Sequence, residues 1–324
     1  MTARDRPSSD HDTRTEDHRL STTIKRGDVF IRCHASAPRC DDTRPTVVLV
    51  HGYPDTHAVW DRLVEHLSQE FRCVRYDVRG AGASSRPKAA SAYRLAALQA
   101  DFEAVIDWAS PTAPVHVIGH DWGSIQSWEA VTDPALTHRI ASFTSISGPC
   151  LDHVGHWLRD LWRRDRPSLN RQLRRSWYIG LFLLPLLPQI MWHTHLGRRW
   201  PQAVARMEGE PLPVNTTLTK DGAHGIRLYR ANMIARLRCP RERVAQAPVQ
   251  LITPLRDPFV GRGFALGLER WVDDLTVTPI DAAHWVVLTH PKTVARHCTD
   301  FIRARTPVAT SSPRHSAGWP RDSF

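Results

Sequence analysis

No apolar run in the 324 residues is long enough to span a bilayer. The longest, Ile179–Trp192, is too short and is broken by Pro185 and Pro188. The first twenty or so residues, Met1 to about Leu20, are polar and charged and lack the apolar core of a secretory signal. None of the six cysteines (Cys33, Cys40, Cys73, Cys150, Cys239, Cys298) forms a Cys-x-x-Cys pair. Without a signal they are expected to be reduced thiols in a cytoplasmic protein, several of them buried in its core. Metal-ligand spacing is absent too, so neither a metal nor an organic cofactor is expected. Internal repeats are lacking. Tyrosine is scarce, at five residues, which makes the position of each one informative.

What is present fits one sizeable core with an inserted subdomain. The composition, 41% hydrophobic and 23% charged, is that of an ordinary globular chain. Strand patterns alternate with helical ones, as in a mainly parallel sheet covered by helices. Strands are expected at Asp28–Ala35, Thr46–Val50, Cys73–Asp77, Val115–Gly119, Ala141–Ser147, Val249–Thr253 and Leu275–Asp281. Thr46–Val50 is apolar and β-branched throughout, as a strand buried on both faces requires. Helices are expected over Tyr93–Ala109, Ser124–Val131 and Pro291–Arg303. From Leu151 to Arg238 the texture changes to Trp, Arg and Leu with proline breaks around Pro201 and Pro211–Pro213. The expected layout is therefore a core of 21–150 and 239–305 split by a helical cap at 151–238. Disordered segments are expected at 1–20 and 306–324.

The formal charge is +10 and its distribution is uneven. Leu151–Arg238 carries fourteen Arg and one Lys against six acidic residues, a net +9. No nucleic-acid motif accompanies this charge, so nucleic acid is not an expected partner. The excess can solubilise a Trp-rich segment. It can also give weak, reversible association with an anionic membrane or an acidic carrier, and this is the expectation adopted.

Chemistry is concentrated at strand ends. Val115–Gly119 runs into Gly119-His120-Asp121-Trp122-Gly123, with a helix expected to follow. Glycines on both sides let the central residue occupy a tight turn that exposes its side chain above the sheet. A carboxylate there suits displacement at an sp³ carbon, giving an alkyl-enzyme ester, where a serine would suit acyl transfer. A Gly-Asp turn without chemistry is the plainer alternative, and the remaining parts weigh against it. His51-Gly52-Tyr53-Pro54 follows the strand ending at Val50. The backbone N–H groups of Tyr53 and Trp122 are expected to form an oxyanion hole. Asp257, after Val249–Thr253, is the expected acid, and His284, after Leu275–Asp281, the expected base. The turn Tyr76-Asp77-Val78-Arg79-Gly80 is read as structural.

In this order the motifs resemble those of α/β-hydrolase-fold epoxide hydrolases. The resemblance runs from about Ile24 to Arg303. It comes closest to the hydrolase part of bacterial fusions that continue into a short-chain dehydrogenase, a part not expected in these residues. It implies the α/β-hydrolase fold with an inserted helical cap. It also implies two cap tyrosines that donate hydrogen bonds to the epoxide oxygen. Tyr178, in Arg175-Ser176-Trp177-Tyr178, and Tyr229, in Leu228-Tyr229-Arg230, match those motifs. The implied reaction opens a hydrophobic epoxide to a vicinal diol: Asp121 attacks carbon, Tyr178 and Tyr229 protonate the oxygen, and His284, oriented by Asp257, activates the hydrolytic water. A substrate pocket lined by Trp122, Trp177, Phe182 and Trp285 is expected. A haloalkane dehalogenase would share the aspartate and histidine steps; Tyr53, where such enzymes place asparagine, disfavours it. A ligand-binding protein without turnover is the third possibility, disfavoured by the joint presence of all five catalytic candidates.

Overall fold

The computed structural model describes residues 20–39 and 42–306. The expected disordered ends, apart from Leu20 and Thr306, and Cys40 lie outside the described residues. Eight strands form one sheet in the order β1-β2-β4-β3-β5-β6-β7-β8. They are β1 Ser21–Arg26, β2 Val29–Ala35, β3 Thr46–Val50, β4 Arg72–Tyr76, β5 Val115–His120, β6 Ile140–Ile146, β7 Val249–Pro254 and β8 Leu275–Ile280. β2 is antiparallel to both β1 and β4; every other pairing is parallel.

The sequence pattern explains the centre. β3 is buried at all five residues and lies between β4 and β5. Val48 and Val50 enter the cluster on one face with Phe102, Val105, Ile106 and Trp128, from the helices Leu95–Ala109 and Trp122–Val131. Val47 and Leu49 enter the opposite cluster with Leu63, Leu67, Val294, Cys298 and Ile302, from Asp61–Leu67 and Pro291–Arg303. This alternation is the period of two expected of a strand covered on both faces.

Three sequence expectations change. The sheet starts one strand earlier, at β1, because residues 27–28 form the turn of an edge hairpin and Gly27 sits at φ +57°. β1 is only half-buried, so its apolar alternation is weak. The helix Asp61–Leu67 was not foreseen. Pro201 does not break a helix: Gly197–Glu208 continues through it. That helix emerges from a wide π-helical turn, Trp192–Leu196, just upstream of the carbonyl that the proline ring would crowd.

The residues between β6 and β7 are mainly helical: Leu151–Arg164, Arg166–Arg175, Trp177–Leu183, Leu187–Met191, Gly197–Glu208 and Leu218–Arg238. The apolar run Ile179–Trp192 is divided at Leu184–Leu186, with Pro188 in the first turn of the following helix. Buried ions tie the two ends of this insert to the core. Arg236 reaches Asp152 Oδ2 at 2.8 Å and Glu129 Oε2 at 2.6 Å, and Arg243 reaches the same glutamate oxygen at 2.8 Å. Cys33, Cys73, Cys150 and Cys298 are buried free thiols, while Cys239 is exposed. Among the described residues, no helix is long and apolar enough to cross a membrane.

Candidate active site

β5 delivers Asp121 at the point where the strand turns into Trp122–Val131. Its backbone is left-handed in φ (+50°), unusual for a residue with a side chain. Close packing holds the turn. A methyl group added at Gly123 would sit 1.9 Å from the Val50 carbonyl, and one at Gly119 would sit 2.6 Å from Ser124 Cα. The Asp121 N–H donates to the Ile146 carbonyl at 2.9 Å, joining the turn to β6.

The Asp121 carboxylate is shared between two environments. Oδ1 accepts from the Tyr53 N–H at 2.7 Å, and the Trp122 N–H also favours the ionised form. Oδ2 lies 3.8 Å from His284 Nε2. Burial pushes the Asp121 carboxyl up to about 6, against His284 and the two backbone donors. The loop supplying Tyr53 is braced by His51, whose Nε2 accepts from the Val78 N–H at 3.0 Å.

His284 follows β8, and its Nδ1 lies 2.9 Å from Asp257 Oδ2. Asp257 follows β7. Its Oδ1 accepts from the N–H groups of Phe259 (2.8 Å) and Val260 (2.9 Å), which fixes the carboxylate plane. Burial disfavours charge on His284. The Asp257 carboxylate, its hydrogen bond and the Asp121 charge outweigh that, and the imidazole is raised to about 9. Asp257 goes the other way: burial is overcome by His284 and the loop donors, so it stays below the usual carboxylate range. Asp121, His284 and Asp257 thus form a continuous chain.

Over this chain lies a cavity of about 460 Å³. Tyr178 and Tyr229, both from the insert, line this cavity together with Asp121 and His284. The tyrosine rings meet edge-on, with centroids 6.2 Å apart. Burial, with Asp121 nearby, pushes both hydroxyls well above the usual phenol range, so both remain proton donors. Trp177, Phe182 and Trp285 line the cavity as expected. Trp122 does not: its indole is 1% exposed, edge-on to Tyr229 at 4.9 Å, behind the wall. The sequence placed it near the site but could not give its rotational position on the helix.

Several neighbours were not foreseen. Phe259 packs between Tyr178 (5.5 Å) and His284 (5.0 Å). His120 Nε2 lies 2.9 Å from the His284 carbonyl oxygen. Asp55 Oδ2 accepts from the Trp285 indole at 3.0 Å, and Glu208 Oε1 accepts from the Trp285 N–H at 3.0 Å. Burial raises Asp55 to about 7 against that indole hydrogen bond. The Pro-Asp step after Tyr53 was a signal for Asp55; Glu208 left none in the sequence.

Among the described residues, His34, His57 and Asp77 bring potential metal ligands within 4.8 Å of one another. The two imidazoles are stacked, 3.9 Å apart and within 20° of parallel, so their in-plane lone pairs do not converge on one ion. Asp77 is already engaged by the His57 N–H, His57 Nδ1 and the Ala83 N–H at 2.7–2.9 Å. The cluster fits a hydrogen-bonded turn better than a metal centre.

Comparison with known proteins places this geometry. Residues 45–291 match the family described as alpha/beta hydrolase fold. "Probable oxidoreductase EphD" of Mycobacterium tuberculosis is 40% identical over 272 residues, covering 79% of this chain and 45% of that protein. The chain thus spans about half the length of this curated relative. "Epoxide hydrolase 3" of Xenopus tropicalis is 30% identical over 170 residues, 52% of this chain and 42% of that one. A solved Bacillus megaterium epoxide hydrolase superposes with a TM-score of 0.71 over 87% of this chain and all of its own, at 19% identity, a likeness of fold.

Proposed function

The chain belongs to the α/β-hydrolase-fold family, and within it we propose an epoxide hydrolase that converts a hydrophobic epoxide to a vicinal diol through an ester on Asp121. One observation carries the reading: an ionisable aspartate, backed by a histidine–aspartate pair, lines the same cavity as two tyrosine hydroxyls. A strained ring needs both, because an alkoxide leaves poorly unless it is protonated. A displacement that releases halide needs no proton donor.

Asp121 Oδ2, the oxygen nearer His284 and not the one that accepts from the Tyr53 N–H, attacks the epoxide carbon. The C–O bond breaks, and the oxygen takes a proton from Tyr178 or Tyr229, which solvent later restores. Oδ1 remains under the Tyr53 N–H as the ester carbonyl oxygen. His284 takes a proton from water and the hydroxide adds to Asp121 Cγ. The negative charge collects on Oδ1, where the Tyr53 and Trp122 N–H groups meet it. Collapse expels the alkoxide carrying Oδ2, which His284 protonates, and the Asp121 carboxyl keeps the water's oxygen and releases the water's second proton to solvent, matching the one that restored the tyrosine. In this reading 151–238 acts as the cap, while 21–150 and 239–305 act as the core.

The test is direct. The purified chain is offered styrene oxide and a haloalkane, and diol and halide are measured separately. Diol without halide is expected. Halide without diol would convert the assignment to dehalogenase, and neither product, with tight binding of the epoxide, to a non-catalytic binder. In His284→Gln, mass spectrometry should find one substrate mass added at Asp121; an adduct elsewhere reassigns the nucleophile.

A further inference from the structure

We infer that the cap docks on an anionic lipid surface through an arginine-flanked apolar tip, with the mouth of the reaction cavity at the docked face. Seven of the thirteen exposed large apolar side chains among the described residues lie between Trp162 and Ile190. The most exposed of these, Leu186 at 72%, stands in the Leu184–Leu186 loop with a left-handed φ of +60°. A leucine so placed loses backbone energy and gains nothing from the protein interior. The loop is nonetheless held in position. Arg230 Nε donates to the Phe182 carbonyl at 3.0 Å, and its Nη2 reaches the Leu184 carbonyl and, at 3.0 Å, Gln189 Oε1.

Charge complementarity names the partner. From Arg166 to Met207 the sequence contains seven arginines and no aspartate or glutamate. Arg171, Arg174 and Arg175 precede the apolar tip, and Arg198 and Arg199 follow it. All five are exposed, and none pairs with a carboxylate among the described residues. Apolar side chains bordered by guanidinium groups match the boundary between acyl chains and anionic headgroups, where the leucines enter and the arginine stems lie along the interface. Arg174, Arg175 and Trp177 also line the cavity that contains Asp121. The cavity therefore opens where the lipid would sit. This inference rests on the epoxide reading and narrows its substrate to an epoxide dissolved in an anionic membrane.

The test uses the full chain with vesicles of phosphatidylcholine, with and without phosphatidylglycerol, across a salt series. Binding to the anionic vesicles alone is expected, weakening as salt rises, because exposed charges are screened beyond about 8 Å at physiological ionic strength. Arg198→Glu/Arg199→Glu should weaken it at least about twenty-fold, since each arginine near such a surface contributes about five-fold. Leu186→Ser/Ile190→Ser should weaken it at all salt concentrations. Both variants should hydrolyse a water-soluble epoxide at the wild-type rate. Equal binding to both vesicle types, no binding, or retention only by an acidic protein overturns the lipid assignment. Binding needs no turnover, so it separates failure of the docking surface from failure of the epoxide assignment.

Discussion

If Asp121 and His284 act in successive steps, those steps should titrate differently. Alkylation needs an ionised Asp121, which burial raises to about 6. Its rate should therefore be flat above neutrality and fall about ten-fold for each pH unit well below 6. Hydrolysis needs a neutral His284. In the resting site the imidazole is held at about 9 by Asp257 and, in part, by the Asp121 charge. Esterification removes the Asp121 charge, so His284 should release its proton more easily in the intermediate than in the free enzyme. The hydrolysis limb should then lie below 9 and above the ordinary histidine value of 6.5. Stopped-flow fluorescence in single turnover can separate the two rates, because Trp177 and Trp285 line the cavity. Asp121→Asn reproduces the uncharged ester, so NMR of its His284 should report a pKa below that of the wild type. A flat alkylation rate down to pH 4.5, or an unchanged His284 pKa in Asp121→Asn, would falsify this electrostatic coupling.

In water labelled with heavy oxygen, a single turnover should place the label in Asp121 and leave the first diol unlabelled; label in that diol means water attacks the epoxide directly. Tyr178→Phe and Tyr229→Phe should each slow alkylation about ten- to a hundred-fold and leave hydrolysis of a preformed ester intact, and the double variant should lose far more than either. Wild-type alkylation in the double variant would remove the main support for an epoxide. Gly52→Ala puts a methyl group 2.5 Å from the Asp121 side chain and 2.7 Å from the His120 carbonyl; it should cripple alkylation while the folded core persists, as measured by adduct formation and circular dichroism. Arg236→Met removes one of two close arginine partners from both Asp152 and Glu129, with Arg243 still 2.8 Å from each, and should cost about 2 kcal/mol in urea unfolding; a change below about 0.5 kcal/mol would show the cluster to be solvated.

The strand-end residues were legible because their turns need particular residues. Asp121 stands between glycines whose added methyls would collide with Val50 and Ser124, and a reader of sequence meets that requirement as Gly-x-Asp-x-Gly. Asp257 and His284 each follow an apolar strand, and the parallel order of β5 to β8 brings the ends of those strands together. Trp122 was misplaced on the cavity wall because one residue's helical phase after a strained turn is set by packing against Tyr229, which no local pattern encodes. Glu208 was missed for a similar reason: it reaches Trp285 across 77 residues through the way the cap seats on the core. β1 left a faint pattern because one side of it is open to solvent.

The seat of the cap decides whether the two halves of the site form one active centre. In the proposed reaction the nucleophile Asp121, the acid Asp257 and the base His284 stand on loops at the ends of β5, β7 and β8, and the proton donors Tyr178 and Tyr229 stand on helices of the insert. Several contacts between insert and core fix their spacing, among them Asn232 to the Tyr93 carbonyl and the Tyr53 hydroxyl to the Gly222 carbonyl, and two more adjoin the reacting groups. Glu208 from the cap accepts from the backbone of Trp285, adjacent to His284. Arg236 near the end of the last cap helix joins Asp152 near the start of the first to Glu129, on the helix that begins at Asp121. The same helix therefore carries the nucleophile at its N-terminus and anchors both ends of the cap. A small displacement at Glu129 would move Tyr229, which lies seven residues before Arg236, relative to Asp121. Alkylation needs both partners in register, whereas hydrolysis uses only core groups, so loosening this anchor should slow the first half-reaction more than the second.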